Sequence, residues 1–421
     1  MIASSRLAAS TVAALLTSGC FDARALPDLD YGVDEAHVWQ DGATKPVPAL
    51  PGERRIVVTN NLDDTVSVVS WQKLIDGGEG AELARFPVGL VPLEREGPHH
   101  LAASADGRLA YVGISNYVTG GGSGPHGIHG GGTADGRVLL IDLDTQRTIK
   151  ATRVDKNPGD IRLTPDGRTL VISHFDLVKV NEAAIKDVFV GSDVDARLGL
   201  IDTATLERGP FISLCPAPHG VAITSDSRTL ISSCLSDEAA IVDIAAVLAG
   251  ATDGIVTRIR LVDVPGTAAQ PSCSPYATTL SSDDRTAWIS CYASGELVAV
   301  DVEAKTRGIT IALPGLAVFG DYADAGDRFV IATQDTDGVV VLVDDGGGEA
   351  HVERFFPTAA DVCALPHTAH WFDDDTRIAI ICEGNKIDPG AIAVLDASDG
   401  SLVGRVELGR FPDDIAVQEK P

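Results

Sequence analysis

Basic residues are scarce in this chain of 421 residues, in which 33 lysines and arginines stand against 60 aspartates and glutamates. The formal net charge of −27 argues against nucleic acid as a partner, because a surface that binds phosphates needs a basic field. Long apolar runs are scarce too, since no segment beyond residue 20 is apolar for long enough to cross a membrane. Such a composition suits a protein that stays dispersed in solution.

Several motifs of catalytic and cofactor sites are also missing. The glycine-rich run 120–132 is not followed by the Lys-Ser/Thr pair of a phosphate-binding loop. No Gly-Xaa-Ser-Xaa-Gly elbow accompanies a histidine, so nucleophilic hydrolysis has no signature here. No Cys-Xaa-Xaa-Cys pair occurs, and the acidic run 373–375 lacks the spacing of a calcium-binding EF-hand.

The N-terminus carries an export signal. Residues 1–20 combine Arg6, an apolar run and a final Gly19-Cys20 pair, which is typical of a secretory signal peptide. The ending LLTSGC resembles the lipobox of bacterial lipoproteins, and that resemblance implies that Cys20 becomes the lipidated first residue. The alternative is an ordinary cleaved signal with an incidental cysteine. Residues 21–52 have no apolar period and are interpreted as a flexible tether.

A lipidated Cys20 predicts that the protein is held to a membrane by its lipid alone. Phe21 follows the cysteine where some lipoproteins carry aspartate, and this favours the outer membrane in organisms that sort lipoproteins in that way. The predicted location is therefore the periplasm or the cell surface, with anchoring to the outer membrane.

One sequence motif recurs along the rest of the chain. Each copy has an anchor residue, an alternating apolar segment, a tight turn such as Asp-Gly-Arg, and further apolar segments. This pattern predicts strands joined by hairpins, and four strands in each unit of roughly 40–60 residues predict the blade of a β-propeller. The anchors are Pro98, Pro158, Pro218, Pro275, Val318, Pro366 and Pro412.

The two ends of the repeat region decide the number of blades. Only one strand fits after Pro412, whereas the segment that begins at residue 53 supplies three strands and lacks the first. We therefore expect residues 53–421 to form one all-β domain, a seven-bladed β-propeller of four-stranded antiparallel blades. In it the C-terminal strand completes the N-terminal blade, which removes exposed sheet edges.

The segment VVTNNLDDTVSVVS, with the recurring Pro-anchored and Asp-Gly-Arg phrases, resembles the YVTN-type repeats of bacterial surface and periplasmic proteins. The resemblance extends over nearly the whole chain after the tether. It implies a seven-bladed propeller of the kind called YncE-like, and it implies little about the ligand. The chain departs from WD40 and kelch propellers, because it has neither the Gly-His and Trp-Asp pair nor the double glycine.

Six cysteines besides Cys20 occupy matching positions in three repeats, three of them just before an anchor and three sixteen residues after one. Because the tight turn falls eight and nine residues after the anchor, the two members of each pair meet at the mouth of one hairpin. With an export signal, this predicts disulfides worth about 3 kcal/mol each against the unfolded chain. The expected pairs are Cys215–Cys234, Cys273–Cys291 and Cys363–Cys382.

Histidines recur at the start of the first strand of the repeat. Three of them follow an anchor proline directly, and a fourth lies sixteen residues after Pro158, opposite that position across the hairpin. Since the first strand of each blade lines the central channel, these side chains are expected at one level of the propeller. The candidate ligand-binding residues at this level are His99, His100, His174, His219, Tyr276 and His367.

A histidine-rich channel mouth is consistent with a transition-metal site, because imidazole suits copper, zinc, iron and nickel. The candidate ligands are the four imidazoles of His99, His174, His219 and His367. The glycine-rich loop 116–136 adds His126 and His129 on the same face. A transition metal is the only cofactor that the sequence suggests.

Three interpretations of these histidines stay open. In the first they cap backbone carbonyls around the channel, and the protein is a non-enzymatic binding or scaffold module of the cell envelope. Its partner is then an envelope protein or a small ligand at the channel face; this is the leading expectation. In the second the protein is a metal-binding or redox protein. In the third it is a lactonase-like enzyme, for which the sequence offers no assignable acid–base pair and no catalytic residue.

Overall fold

The repeats fold as seven four-stranded antiparallel sheets, which confirms the predicted seven-bladed β-propeller. A computed structural model describes residues 50, 53–89, 95–104, 106–116, 134–188 and 194–418, and the backbone alone of residues 118–119 and 129–130. Cys20, the predicted signal (1–20) and His126 lie outside these residues, as does all of the predicted tether (21–52) except residue 50.

Blade 1 begins the series of anchored blades, after three strands that belong to the last blade. Those three strands are β1 (Arg55–Asn60), β2 (Thr65–Ser70) and β3 (Glu82–Pro87). Blade 1 contains β4 (Pro98–Ala103) and β5 (Leu109–Ile114), then, after the short pair β6 (Val118–Thr119) and β7 (His129–Gly130), β8 (Arg137–Asp142) and β9 (Arg147–Arg153).

Blades 2 to 6 follow in chain order with four strands each. Blade 2 is β10 (Pro158–Leu163), β11 (Thr169–His174), β12 (Ala196–Asp202) and β13 (Arg208–Cys215). Blade 3 is β14 (Pro218–Ile223), β15 (Thr229–Cys234), β16 (Glu238–Asp243) and β17 (Val256–Arg260). Blade 4 is β18 (Pro275–Leu280), β19 (Thr286–Cys291), β20 (Glu296–Asp301) and β21 (Thr306–Ala312). Blade 5 is β22 (Leu316–Tyr322), β23 (Arg328–Gln334), β24 (Gly338–Gly346) and β25 (Glu349–Pro357). Blade 6 is β26 (Pro366–Phe372), β27 (Arg377–Cys382), β28 (Ala391–Asp396) and β29 (Leu402–Glu407).

Blade 7 joins the two ends of the chain, as the sequence predicts. The last strand, β30 (Pro412–Gln418), pairs antiparallel with β1, so that Val57 lies opposite Ala416 and the sheet has the order β3-β2-β1-β30. Because β30 is the innermost strand of this blade, its residues line the channel beside those of β4. The ring of sheets is therefore closed by hydrogen bonds between strands about 350 residues apart.

Helices are few and lie in loops. A 3₁₀ turn (Asn61–Asp63) follows β1, and the α-helices are α1 (Trp71–Ile75), α2 (Leu177–Lys186) and α3 (Ile244–Leu248). None of these helices is long and apolar enough to span a bilayer, within the part of the chain that the structure describes. The helix α2 occupies the long loop between β11 and β12.

The tight turns follow the predicted chemistry. In blade 2 the Thr164 hydroxyl donates to Asp166, which in turn accepts the backbone N–H of Arg168. Gly167, between them, has a φ of +69°, which glycine adopts at no steric cost. These local bonds fix the register of the hairpin, and the register then places apolar side chains in the spaces between neighbouring blades.

The fifth anchor lies one residue before the predicted Val318. In blade 2 the anchor Pro158 pairs with His174, sixteen residues later, and the matching pair in blade 5 is Ala317 and Thr333. Val318 and Phe319 therefore occupy the two positions after the anchor. Because blade 5 lacks the anchor proline, the sequence alone does not mark its register.

All three predicted disulfides are present. Two of them join the segment before the first strand of a blade to the second strand of that blade, whereas Cys215–Cys234 joins the end of β13 in blade 2 to the end of β15 in blade 3. The three bonds are Cys215–Cys234, Cys273–Cys291 and Cys363–Cys382, with Cα–Cα distances of 5.9, 4.5 and 5.1 Å. All six cysteines are buried. Disulfides persist in oxidising compartments, so the three bonds indicate that the chain is exported.

Removal of one bond is expected to destabilise the propeller measurably. Replacing Cys273 and Cys291 together by serine opens a loop whose ends are 18 residues apart, and we expect the free energy of unfolding to fall by about 3 kcal/mol. Denaturant titration under oxidising conditions measures this change. With a reductant present, the parent and the variant are expected to have the same free energy of unfolding. A difference that persists would show that the serines pack less well than the cysteines, and that the missing bond is not the cause.

Candidate functional site

The repeat register places two residues from each blade at the centre of the propeller. They are the first and second residues after the anchor, and all fourteen are buried. The first ring consists of His99, Gly159, His219, Tyr276, Val318, His367 and Asp413. The second ring consists of His100, Asp160, Gly220, Ala277, Phe319, Thr368 and Asp414.

Four imidazoles from these rings converge on one another. The ring centroid of His100 lies 4.4 Å from that of His99, 5.3 Å from that of His219 and 6.3 Å from that of His367. His99 and His219 are 5.7 Å apart. Three blades therefore bring four histidines together, and His100 lies at the centre of the group.

The Nδ1 atom of each histidine faces a partner outside the group. In His99 and His219 it hydrogen-bonds a backbone carbonyl oxygen, of Pro158 at 3.2 Å and of Tyr276 at 3.0 Å. In His367 it lies 2.6 Å from Glu383 Oε1. In His100 it lies 3.2 Å from both Asp160 Oδ1 and Asp414 Oδ2. These partners fix the orientation of the imidazole rings.

The opposite ring nitrogens, Nε2, turn towards the interior of the group. The carboxylate of Asp413 lies between two of them, with Oδ2 3.1 Å from His99 Nε2 and Oδ1 3.1 Å from His367 Nε2. His100 Nε2 is completely buried and makes no hydrogen bond with any residue that the structure describes. A buried polar atom of this kind is costly unless something binds it.

Two sets of donor atoms meet at His100 on this inner side. His99, His100 and His219 each offer an atom within 4.8 Å of the other two, and so do His100, His367 and Asp413. A third set, of His100 with Asp160 and Asp414, lies on the Nδ1 side. Imidazole nitrogens with one carboxylate are the ligands that zinc, copper, iron and nickel use in proteins.

Aromatic side chains enclose the group. Phe175 packs on His219 at a centroid distance of 4.2 Å, Phe319 lies 4.8 Å from His100, and the ring of Tyr276 stacks on His219 at 4.4 Å. The Tyr276 hydroxyl is 3.4 Å from His367 Nε2. This shell excludes water and lowers the local dielectric, so charge inside it interacts strongly.

Four carboxylates are buried around the histidines. Asp160, Glu383, Asp413 and Asp414 are each at most 1% exposed. Two cations contact them, since Arg162 Nε lies 3.2 Å from Asp160 and Lys386 Nζ lies 2.9 Å from Glu383. Four negative charges less two positive ones leave an excess of two negative charges among the described residues when the histidines are neutral.

The pKa values of the chain without an ion reflect this excess. Burial opposes protonation of His100, but Asp414 and Asp160 outweigh it and raise the pKa of His100 to about 10. Burial raises the pKa of Asp413 to about 6. Burial, together with the neighbouring His100, lowers the pKa of His219 well below its usual range. Protons on His100 and Asp413 therefore supply positive charge that the site otherwise lacks.

The structure brings together five of the six predicted ligand-binding residues, but His174 lies apart from them. Its Nδ1 bonds the carbonyl oxygen of Arg197 at 2.7 Å, and its ring lies 6.0 Å from that of Phe211 in the outer part of blade 2. Burial lowers its pKa to about 4. The residue pairs with the anchor Pro158, one residue before the position that the sequence predicts, and its side chain turns towards β12 instead of the channel. His129 contributes only backbone to the described structure.

Sequence reasoning missed two of the carboxylates beside the histidines, Asp414 and Glu383. Asp414 directly follows Asp413, and the second-ring register of His100 and Asp160 was the signal that would have identified it. Glu383 directly follows Cys382, at the start of a loop, and only its place opposite His367 in the folded hairpin reveals its role. Both are fully or almost fully buried.

Solved structures of bacterial proteins share this fold. A functionally unknown protein from Desulfotomaculum acetoxidans aligns with a TM-score of 0.62 and 13% identity, over 88% of this chain and 100% of that one. A 6-phosphogluconolactonase described as putative, from Bacteroides fragilis, aligns with a TM-score of 0.60 and 14% identity, over 88% and 99%.

The periplasmic gluconolactonase of Pseudomonas aeruginosa is a third similar structure. It aligns with a TM-score of 0.58 and 16% identity, over 87% of this chain and 99% of that one. No protein-family model matches the chain, and no curated protein does. Identities this low show a common fold and nothing about activity, and the resemblance to YVTN-type repeats stays a prediction.

Proposed function

We propose that this protein is an exported transition-metal-binding protein that holds one divalent ion at the centre of its propeller. The ligands are drawn from His99, His100, His219, His367 and Asp413. The observation that carries the proposal is the common orientation of the imidazoles. Their Nδ1 atoms lie beside carbonyl and carboxylate oxygens, the Nε2 atoms of His99 and His367 converge on Asp413, and that of His100 is buried.

The contacts of the ring nitrogens favour a metal site, the second interpretation of the histidines, over capping of backbone carbonyls, the first. Capping of backbone carbonyls accounts for the Nδ1 bonds of His99 and His219 alone. It leaves unexplained the buried Nε2 of His100, and the convergence of His99 and His367 on the Asp413 carboxylate. A histidine ligand in metalloproteins usually has its second nitrogen bonded to a carboxylate or carbonyl, which fixes the tautomer that binds the metal.

The charge count supports a divalent ion. When the four histidines are neutral, the four buried carboxylates exceed the two cations that contact them by two negative charges. One M²⁺ ion balances both. Glu383, Asp160 and Asp414 then act as positioning residues, because they accept the Nδ1 protons of His367 and His100. Four nitrogens with at most one oxygen favour Zn²⁺, Cu²⁺, Ni²⁺ or Fe²⁺ over Mg²⁺ or Ca²⁺, which prefer oxygen ligands.

The cell envelope is the proposed location. Three disulfides support an oxidising compartment, and the proposed lipidation of Cys20 adds an anchor to the outer membrane. The small ligand expected at the channel is then the metal ion, and an envelope protein that delivers or uses it is the proposed partner. The likeness to lactonases is one of fold, so lactone hydrolysis remains the alternative that the sequence left open.

Elemental analysis of the protein, purified from an oxidising compartment without a histidine tag, tests the proposal. We expect about one ion of zinc, copper, nickel or iron per chain after desalting, and a Tm that falls on chelation and recovers on reloading, because an ion that binds only the folded state stabilises it. Failure to retain any of these four metals, even after soaking and desalting, would reject the metal site and favour the scaffold interpretation.

A further inference from the structure

A third set of repeat positions lies two residues further along the innermost strands than the second ring, roughly 7 Å towards the other end of the channel. Five of its seven members are partly exposed to solvent, whereas every member of the first two rings is buried. This third ring therefore borders the far mouth of the channel. It consists of Ala102, Arg162, Ala222, Thr279, Asp321, His370 and Ala416.

Arg162 presents an open binding edge at this mouth. Its Nε lies 3.2 Å from Asp160 Oδ1, and its two Nη atoms donate no hydrogen bond to another residue that the structure describes. The side chain is 31% exposed. A guanidinium held at Nε keeps its orientation, and its remaining donors match the two oxygens of a carboxylate.

An acidic and a hydroxyl group share the ring with Arg162. Asp321 is 40% exposed and lies 3.3 Å from His370 Nδ1. Although burial acts in the opposite direction, Asp160, Asp414 and Asp321 raise the pKa of Arg162, so Asp321 lies within electrostatic reach of the guanidinium across the channel. The buried Thr279 hydroxyl has no hydrogen-bond partner among the described residues.

The other three blades contribute alanine to this ring. Ala102, Ala222 and Ala416 carry only a methyl group where the remaining blades carry polar side chains. The mouth thus combines one cation, one accessible carboxylate and an unpaired hydroxyl around an opening lined by small residues. A simple anion is disfavoured there, because Asp160, Asp321 and Asp414 surround the single guanidinium.

We propose that the third ring binds a small zwitterion, such as an amino acid, whose carboxylate binds the Nη atoms of Arg162 and whose ammonium group binds Asp321. A ligand with both charges is neutral overall and meets both groups at once. The site is separate from the proposed metal ligands, and the proposal does not require a bound metal.

Calorimetric titration of the full chain, treated with a chelator to remove metals, tests this proposal. The probes are glycine, β-alanine and γ-aminobutyrate, which carry the same two charges at increasing separation, together with acetate and methylammonium as half-ligands. We expect at least one zwitterion to bind at millimolar concentration and at least about tenfold more tightly than either half-ligand, since each charged hydrogen bond contributes to the affinity.

Variants then assign the contacts. Arg162→Gln and Asp321→Asn are each expected to weaken binding of the best zwitterion by about tenfold or more, whereas Arg285→Gln, at an arginine with an 80% exposed side chain, is expected to leave it unchanged. Asp321→Asn leaves the Arg162–Asp160 pair intact, so it remains informative if Arg162→Gln unfolds. Absence of binding by all three zwitterions would overturn the proposal, as would equal binding of acetate or an unchanged affinity in Asp321→Asn.

Discussion

Replacing His100 with alanine is expected to cause the largest loss of metal affinity of any single substitution in the channel. His100 belongs to every set of donor atoms that the structure brings together. Replacing a residue that hydrogen-bonds a metal ligand costs about 10- to 100-fold in metal affinity, and we expect removal of this ligand itself to cost more than about 100-fold. Competition with a chromophoric chelator, for the ion that the parent protein retains, measures the change.

Two further variants make this result interpretable. Loss of the His100 imidazole also removes one partner from each of the buried aspartates Asp160 and Asp414, so the variant is expected to lose stability even without metal. His219→Ala avoids this complication, because the Nδ1 of His219 bonds the backbone carbonyl oxygen of Tyr276, which carries no net charge. His351→Ala, at an exposed histidine of β25, is the control and should retain the full metal content. Equal metal binding in His100→Ala, His219→Ala and the parent would contradict the proposed centre.

Ending the chain before Pro412 is expected to abolish the native fold. This truncation removes β30, which provides the innermost strand of blade 7, and exposes the hydrogen-bonding edge of β1. The truncation also removes Ile415 and Ala416 from the apolar clusters that lie on the two sides of that blade. We expect soluble expression to fall sharply and cooperative thermal unfolding to disappear, which circular dichroism and size-exclusion chromatography measure.

A shorter truncation and a peptide provide the controls. Removal of residues 419–421 alone retains every residue of β30 and should leave the Tm unchanged. A synthetic peptide of residues 410–421, added to the longer truncation during refolding, should restore cooperative unfolding if strand pairing is the cause. A truncated chain that stays monomeric and unfolds cooperatively without the peptide would show that six blades are stable alone.

The fold could be predicted from the sequence because its information is local and repeated. Alternating apolar residues and tight turns such as Asp-Gly-Arg specify the first hairpin of each blade, and the same register brings the cysteines of each pair together. Blade 5 departs from the pattern at its anchor, where Ala317 replaces proline, and the predicted register there was wrong by one residue. The blade still forms, because its strands keep their alternation.

The candidate site could be predicted only in part, because it depends on contacts between blades. His99, His219 and His367 share a repeat position, and that position identifies them. The side chain of His174 can turn either into the channel or towards the Arg197 carbonyl oxygen, and the repeat pattern does not determine which of the two it does. Partners such as Glu383 and Lys386 come from an irregular loop, where no period indicates which residues turn inward.

The position of Asp413 and Asp414 on β30 has a consequence for the order of events during export. A chain that crosses the membrane from its N-terminus delivers His99 and His100 early, but these two aspartates lie within the final ten residues. A partly translocated chain therefore carries imidazoles without the carboxylates that hold and complement them. The proposed metal site would be completed only when the ring is completed, so capture of the ion would mark a finished molecule and discriminate against fragments.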